Sequence, residues 1–151
     1  MKSFGSAVEC LIDSSVLFKL IVDETGSSNA LLIAQNVSRT VVSPITRIET
    51  HSALRRASQR LKIPKLMITR LGLQVDDYCD SARTVVFSEA LQGVAVDLTK
   101  TYKKLRSLDA IQLASAICAQ TTFIATADTE LMNAAQKEGL HVLNPMRGQG
   151  Q

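Results

Sequence analysis

Tryptophan is absent from this 151-residue chain, and aromatic residues make up only 4% of it. Stacking platforms for unpaired bases are therefore scarce. Histidine occurs twice, at His51 and His141, and neither has an obvious nucleophile partner. Both read as packing residues. The three cysteines, Cys10, Cys79 and Cys118, are odd in number, and no two share the C-x-x-C spacing of a zinc or redox site. They read as reduced, mostly buried thiols. No run approaches the ~20 apolar residues of a membrane helix, and Met1-Lys2-Ser3-Phe4-Gly5 lacks the apolar stretch of a secretion signal. Neither G-x-x-x-x-G-K-[ST] nor G-x-G-x-x-G occurs, which excludes the common nucleotide-binding loops. The Asp13-Ser14-Ser15 turn lacks the second aspartate, two residues on, of a phosphoaspartyl phosphatase. A soluble, cytoplasmic protein without a membrane segment is the expectation.

What is present suffices for one core. Hydrophobic residues make up 46% and charged residues 21%, near the globular average. The length favours a single domain over 1–151, with 1–7 and 146–151 expected to fray. The net charge of +3 permits a polyanionic partner without demanding one.

Short apolar, β-branched runs alternate with longer stretches of helical period. Strands are expected at 8–12 (VECLI), 40–43 (TVVS), 84–87 (TVVF), 122–126 (TFIAT) and 140–143. Helices are expected after Ser14 or Ser15, over 29–37, from 45 to about 61 with Ser43 as cap, from Pro64 to about 80, from Ser88 to about 105, after Ser107, and over 130–138 up to Gly139. Residues 23–28 read as a loop. Such alternation makes a three-layer α/β/α sandwich around a mainly parallel sheet of about five strands.

Ligands of open parallel sheets bind beyond the carboxyl ends of the strands. Asp13 and Asp128 directly follow strand-like runs, and Glu49 and Asp109 lie early in helices that face the same edge. Each of Asp13, Asp109 and Asp128 alone is also explained as a helix cap or a dipole partner. Glu49 is harder to explain that way, being one acid in a helix whose other charges are basic. Four clustered carboxylates cannot all ionise without compensation. An all-oxygen set without thiol or imidazole suits Mg²⁺ or Mn²⁺. Hydrolysis of a phosphodiester is the chemistry this set serves best.

Four stretches carry a resemblance. LIDSSVLFKL at 11–20, SPITRIETHSALRR at 43–56, LRSLDAIQLASA at 105–116, and FIATADTELMNAA at 123–135 followed by GLHVLNP at 139–145 resemble, in order, the motifs of PIN domains and in particular of VapC-type toxins. The resemblance implies a metal-dependent endoribonuclease with Asp13, Glu49, Asp109 and Asp128 as its acidic quartet. It implies hydrogen-bonding roles for Ser14 and Thr126 beside the acids, a homodimer, and a small antitoxin that blocks the cleft. Gln112 stands where many members carry histidine, so no role is assigned to it. Asp97, an extra acid, reads as a solvated helix position.

Basic residues cluster at Arg47, Arg55, Arg56, Arg60, Lys62 and Lys65, and again at Lys100, Lys103, Lys104 and Arg106. Arg56 and Arg60, seven and eleven residues past Glu49, share its helix face. With Arg106 they are the candidate contacts to an RNA backbone. A solvated helix face explains the same pattern. With few aromatics, a folded RNA read by shape is the expected substrate. The reading from a different class is a PIN-like scaffold that binds RNA or protein without cutting. A small nucleotide phosphatase is a third.

Overall fold

The computed structural model describes residues 8–147. Five parallel strands form one sheet: β1 (Glu9–Ile12), β2 (Arg39–Val42), β3 (Arg83–Thr84), β4 (Phe123–Ala125) and β5 (His141–Leu143), in the spatial order β3-β2-β1-β4-β5. Seven helices connect them: α1 (Ser14–Ile21), α2 (Ser27–Asn36), α3 (Thr46–Leu61), α4 (Lys65–Ser81), α5 (Glu89–Thr101), α6 (Ser107–Cys118) and α7 (Thr129–Lys137).

The period of two along β1 divides the core. Cys10 and Ile12 face one side, where Val16, Leu17, Ala30, Ile33, Leu54 and Val75 of α1 to α4 cover them. Leu11 faces the other side with Val41 and Ile124, under Leu91, Leu98, Leu113 and Leu131 of α5 to α7. The three-layer α/β/α sandwich expected from the alternation is the observed architecture. Among the described residues, no helix is long and apolar enough to cross a membrane.

Chain direction across the sheet explains where a ligand can sit. From β1 the chain steps outward through β2 and β3, then returns to lay β4 and β5 on the opposite side. The order therefore reverses between β1 and β4, and the diverging connections leave a crevice beyond their carboxyl ends. Ile12 pairs with Ala125 there, so the chain emerges from the two strands at Asp13 and Thr126 side by side.

Several local expectations are corrected. Asp13 itself takes the cap position of α1, and Ser14 is already helical. Ile45 and Arg106, not Ser43 and Ser107, precede α3 and α6. The expected loop at 23–28 ends early: Gly26, at φ 92°, opens α2 at Ser27, a backbone conformation that suits glycine. Strand β3 stops at Thr84 because Val86 and Phe87 swing out of the sheet to 76% and 50% exposure. Residues 146–147, expected to fray, are tied back, with Asn29 Nδ2 donating to the Pro145 carbonyl at 2.9 Å and more distantly to that of Arg147. The remainder of the expected frayed ends lies outside the described residues.

Ser88 does cap α5, accepting from the Leu91 amide at 3.2 Å. Ser88→Ala is expected to cost about 0.5–2 kcal/mol, read as a lower midpoint in urea at an unchanged slope.

Candidate active site

All four acids line one cleft of about 460 Å³ at the crevice between β1 and β4. Asp13 is supplied by the end of β1, Glu49 by the first turn of α3, Asp109 by the first turn of α6, and Asp128 by the position before α7. These elements come from four separate parts of the chain.

Asp13 is the most enclosed, only 3% exposed. Its backbone amide donates to the Ala125 carbonyl at 3.0 Å, which fixes it against β4. Oδ2 accepts from the Ser15 hydroxyl at 2.6 Å and from Thr126 Oγ1 at 2.9 Å. Burial pushes this carboxyl up to about 6. The two hydroxyls pull it back down, while the charges of Glu49 and Asp109 push it further up. Asp109, 8% exposed, is also raised, by burial first and with the charge of Asp128 adding to it, against the opposing pull of Arg106.

Asp128 divides its oxygens between two tasks. Oδ1 accepts from the Leu131 amide at 2.8 Å and so caps α7, and Oδ2 faces Arg106 at 3.4 Å. Asp128 thus caps α7 and also lines the cleft. Thr126 links two of the acids: its hydroxyl donates to Asp13 and accepts from the Asp128 amide at 3.1 Å. Arg106 spans Asp109 and Asp128, with Nε at 3.0 Å from the first and Nη2 at 3.4 Å from the second. Its side chain is 77% exposed, so this clasp is open to water.

The other expected residues divide. Arg56 lines the cleft, and its guanidinium donates to Ser52 at 2.9 Å and pairs with no acid among the described residues. Arg60 is exposed further along α3 and is not among the lining residues. Arg47 turns away to Asp76, at 3.1 Å, and to Asp80, which places it on the α3–α4 seam. His51 joins that seam, with Nε2 2.9 Å from Asp76, and His141 lies against Phe123. Neither histidine lines the cleft; His51 is bound to a carboxylate and His141 is an exposed residue beside an aromatic ring. Asp97 is a surface position beside Lys100.

Two residues in contact with the acids escape a reading of sequence. Ser15, rather than Ser14, is the close hydroxyl partner of Asp13; Ser14 Oγ is 3.5 Å from Oδ1. Ser15 also accepts from the Ala127 amide at 3.0 Å, joining the β1 and β4 ends. Gln112 is fully buried and donates from Nε2 to Glu49 Oε2 at 2.7 Å, with Thr46 Oγ1 at 3.3 Å from the same amide. It lies three residues after Asp109 on one helix face, which does not point to its partner Glu49, 63 residues away.

The donor set is all oxygen, and Arg106 is the one cation in contact with it among the described residues. As the side chains stand, no three Asp, Glu, His or Cys groups among the described residues converge closely enough to hold a metal ion. Burial is the main reason that Asp13 and Asp109 are raised, with neighbouring carboxylates adding a smaller push, and a cation bound here would favour their charged forms.

No curated protein sequence matches the chain. Among solved structures, one chain of a toxin–antitoxin complex from Klebsiella pneumoniae is similar over 90% of this chain and 97% of its own, at 20% identity and a TM-score of 0.68. FitAcB from Neisseria gonorrhoeae is similar over 90% and 97%, at 17% identity and a TM-score of 0.66. VapC20 of Mycobacterium tuberculosis, described as a sarcin–ricin-loop-cleaving toxin, is similar over 83% and 94%, at 14% identity and a TM-score of 0.66. At such identities these likenesses speak for the fold. The family model of the PIN domain matches residues 10–137, and the chain belongs to that family.

Proposed function

We propose that this protein is a divalent-metal-dependent endoribonuclease, the toxin of a toxin–antitoxin pair. The observation that carries this reading is the meeting of Asp13, Glu49, Asp109 and Asp128 in one cleft, with Asp13 buried and its carboxyl raised. Burying an acid in this way works against stability. Such a cost is usual where a site needs the group.

The donor chemistry fits Mg²⁺ or Mn²⁺, held by the four carboxylates once Arg106 releases Asp109 and Asp128. Such an ion supplies Lewis acidity, making water a better nucleophile near neutral pH and neutralising charge on the phosphate oxygens. The chain's own groups prepare for it. Ser15 and Thr126 orient Asp13, and Gln112 orients Glu49. Arg106 and Arg56 both line the cleft and in this reading would bind substrate phosphates. The hydroxyl of Ser14 has a lesser part, given its longer contact. Arg60 would act only on RNA that continues along α3.

The antitoxin partner is supported by the toxin–antitoxin complex among the similar structures. A partner's basic side chain would block the site by pairing with the acids that Arg106 contacts, Asp109 and Asp128. Homodimerisation and a cytoplasmic location go with this reading. The competing reading is a non-cleaving RNA- or protein-binding module. It draws on that same clasp, which already neutralises two carboxylates.

Incubation of the purified protein with total RNA, in Mn²⁺, in Mg²⁺ or with EDTA, separates the two. The expected outcome is discrete cleavage that requires metal. Retention of RNA without cleavage in either metal would select the scaffold, and release of phosphate from nucleotide monoesters would select a phosphatase.

A further inference from the structure

A second cleft, of about 690 Å³, lies beside the acidic one and shares no lining residue with it. It runs between the α5–α6 connection and the outer face of α7, lined by Tyr102, Lys103 and Lys104 on one wall and by Asn133, Gln136 and Lys137 on the other. Three lysines face a single acid, Glu130, among its lining residues.

The arrangement is built rather than incidental. The Leu105 amide donates to the Tyr102 carbonyl at 2.9 Å, which closes a tight turn with Lys103 and Lys104 at its tip. Leu105 is buried in the core and anchors the turn from below. Tyr102 donates its hydroxyl to Glu138 at 2.6 Å, and the Lys137 ammonium lies 5.8 Å from its ring centroid. Glu138 is thereby occupied, and Lys137 is held toward the cleft by the ring face. Lys103 and Lys104 are exposed and form no ion pair among the described residues.

Lys104 is two residues from Arg106, the clasp of the acidic site. Two residues span at most about 7 Å, the rise of about two phosphates along a helical strand. The other wall is continuous with the site as well, because α7 begins directly after Asp128.

We propose that this cleft is a subsite for the RNA backbone, in which Lys103, Lys104 and Lys137 bind phosphates of the strand that leaves the acidic centre past Arg106. It extends the nuclease reading above and rests on it. Lysines here act as point charges without reading bases. Asn133 and Gln136 add donors for phosphate or sugar oxygens.

Binding is measured on a background of Asp13→Asn, which prevents cleavage, with a fluorescein-labelled 30-nucleotide stem-loop RNA. The double variant Lys103→Gln/Lys104→Gln is expected to weaken binding about tenfold at 150 mM salt and to lower the slope of log affinity against log salt by about 1 to 2. Lys137→Gln is expected to lower that slope by about 1. Arg39→Gln, on a strand of the sheet away from both clefts, is expected to leave both quantities unchanged. In the otherwise wild-type protein, the double variant is expected to raise KM for the stem-loop severalfold while kcat stays within twofold. Unchanged affinity and slope in the lysine variants, in a protein that still binds and cuts RNA, would overturn the subsite and leave the nuclease intact. Absence of any RNA binding or cleavage would overturn both. Loss of binding to poly-L-glutamate with RNA binding preserved would assign the cleft to an acidic protein segment, and so overturn the proposal.

Discussion

Asp13→Asn is expected to abolish RNA cleavage and, in metal-free buffer at neutral pH, to make the protein harder to unfold. The first effect follows from removing one charged member of a set that must stabilise a transition state, a loss of roughly 10²–10³ in rate or more. The second follows from burial. The Asp13 carboxyl is raised to about 6 in the folded protein, against about 3.9 when unfolded. Between about pH 4 and 6 the folded state therefore holds a proton that the unfolded state has released, and stability falls as pH rises through that window. Above pH 6 both states are ionised, and the fold carries the full cost of a buried charge, on the order of 1–3 kcal/mol. Asparagine does not titrate and escapes that cost. The gap in Tm between variant and wild type should be widest above pH 6.5 and should close on going down toward pH 4. Mn²⁺ should narrow it as well, by stabilising the wild type alone. Thermal melts across pH, with EDTA and with Mn²⁺, check both signs. A variant less stable than wild type at pH 7.5 without metal would contradict the account of Asp13.

Gln112→Leu should damage the same site from beneath. Leucine roughly matches the volume and keeps the core filled, so the exchange isolates the polar contribution. It removes the donor to Glu49 and the contact to Thr46. Leaving such groups without their partner costs about 1–3 kcal/mol. Freed of its tether, Glu49 loses its fixed orientation, and cleavage should fall 10- to 100-fold, the usual range for residues that orient metal-binding groups. Weaker Mn²⁺ binding by calorimetry should accompany it. A merely structural glutamine would give the stability loss alone, with metal affinity unmoved.

Much of this is legible in the amino-acid sequence, for reasons that differ by level. Strand runs such as VECLI and TFIAT are apolar on both faces, so their position in a covered parallel sheet follows from period and composition. The residues immediately after them are then fixed to one edge, which is why Asp13 and Asp128 were accessible to a reading of sequence. The run TVVF at 84–87 misled because β-branched residues mark strands only where a neighbour and a cover exist. Strand β3 is an edge, paired on one side, and its apolar continuation leaves the sheet. Helix starts slipped by one or two residues, since any of several adjacent Ser, Asp or Pro residues satisfies the local rules. The choice between Ser14 and Ser15 depends on the helical turn after Asp13, and both are serine. Gln112 has no role in the sequence reading because it stands where many members of the resembled family carry histidine, and its actual role depends on the fold. Its partner Glu49 is 63 residues away, and no local pattern encodes that meeting. Arg106 had been read for phosphate, while its ion pairs with two of the acids became visible only in three dimensions.

The central claim is that four acids from distant parts of the chain share a bound divalent ion beyond β1 and β4. Crystals soaked in Mn²⁺ test it most directly, through the anomalous scattering of the metal. The account predicts a peak in the cleft within about 2.0–2.4 Å of oxygens from at least two of Asp13, Glu49, Asp109 and Asp128, with Arg106 displaced from Asp109. A peak elsewhere, or none in the cleft at saturating Mn²⁺, would contradict it.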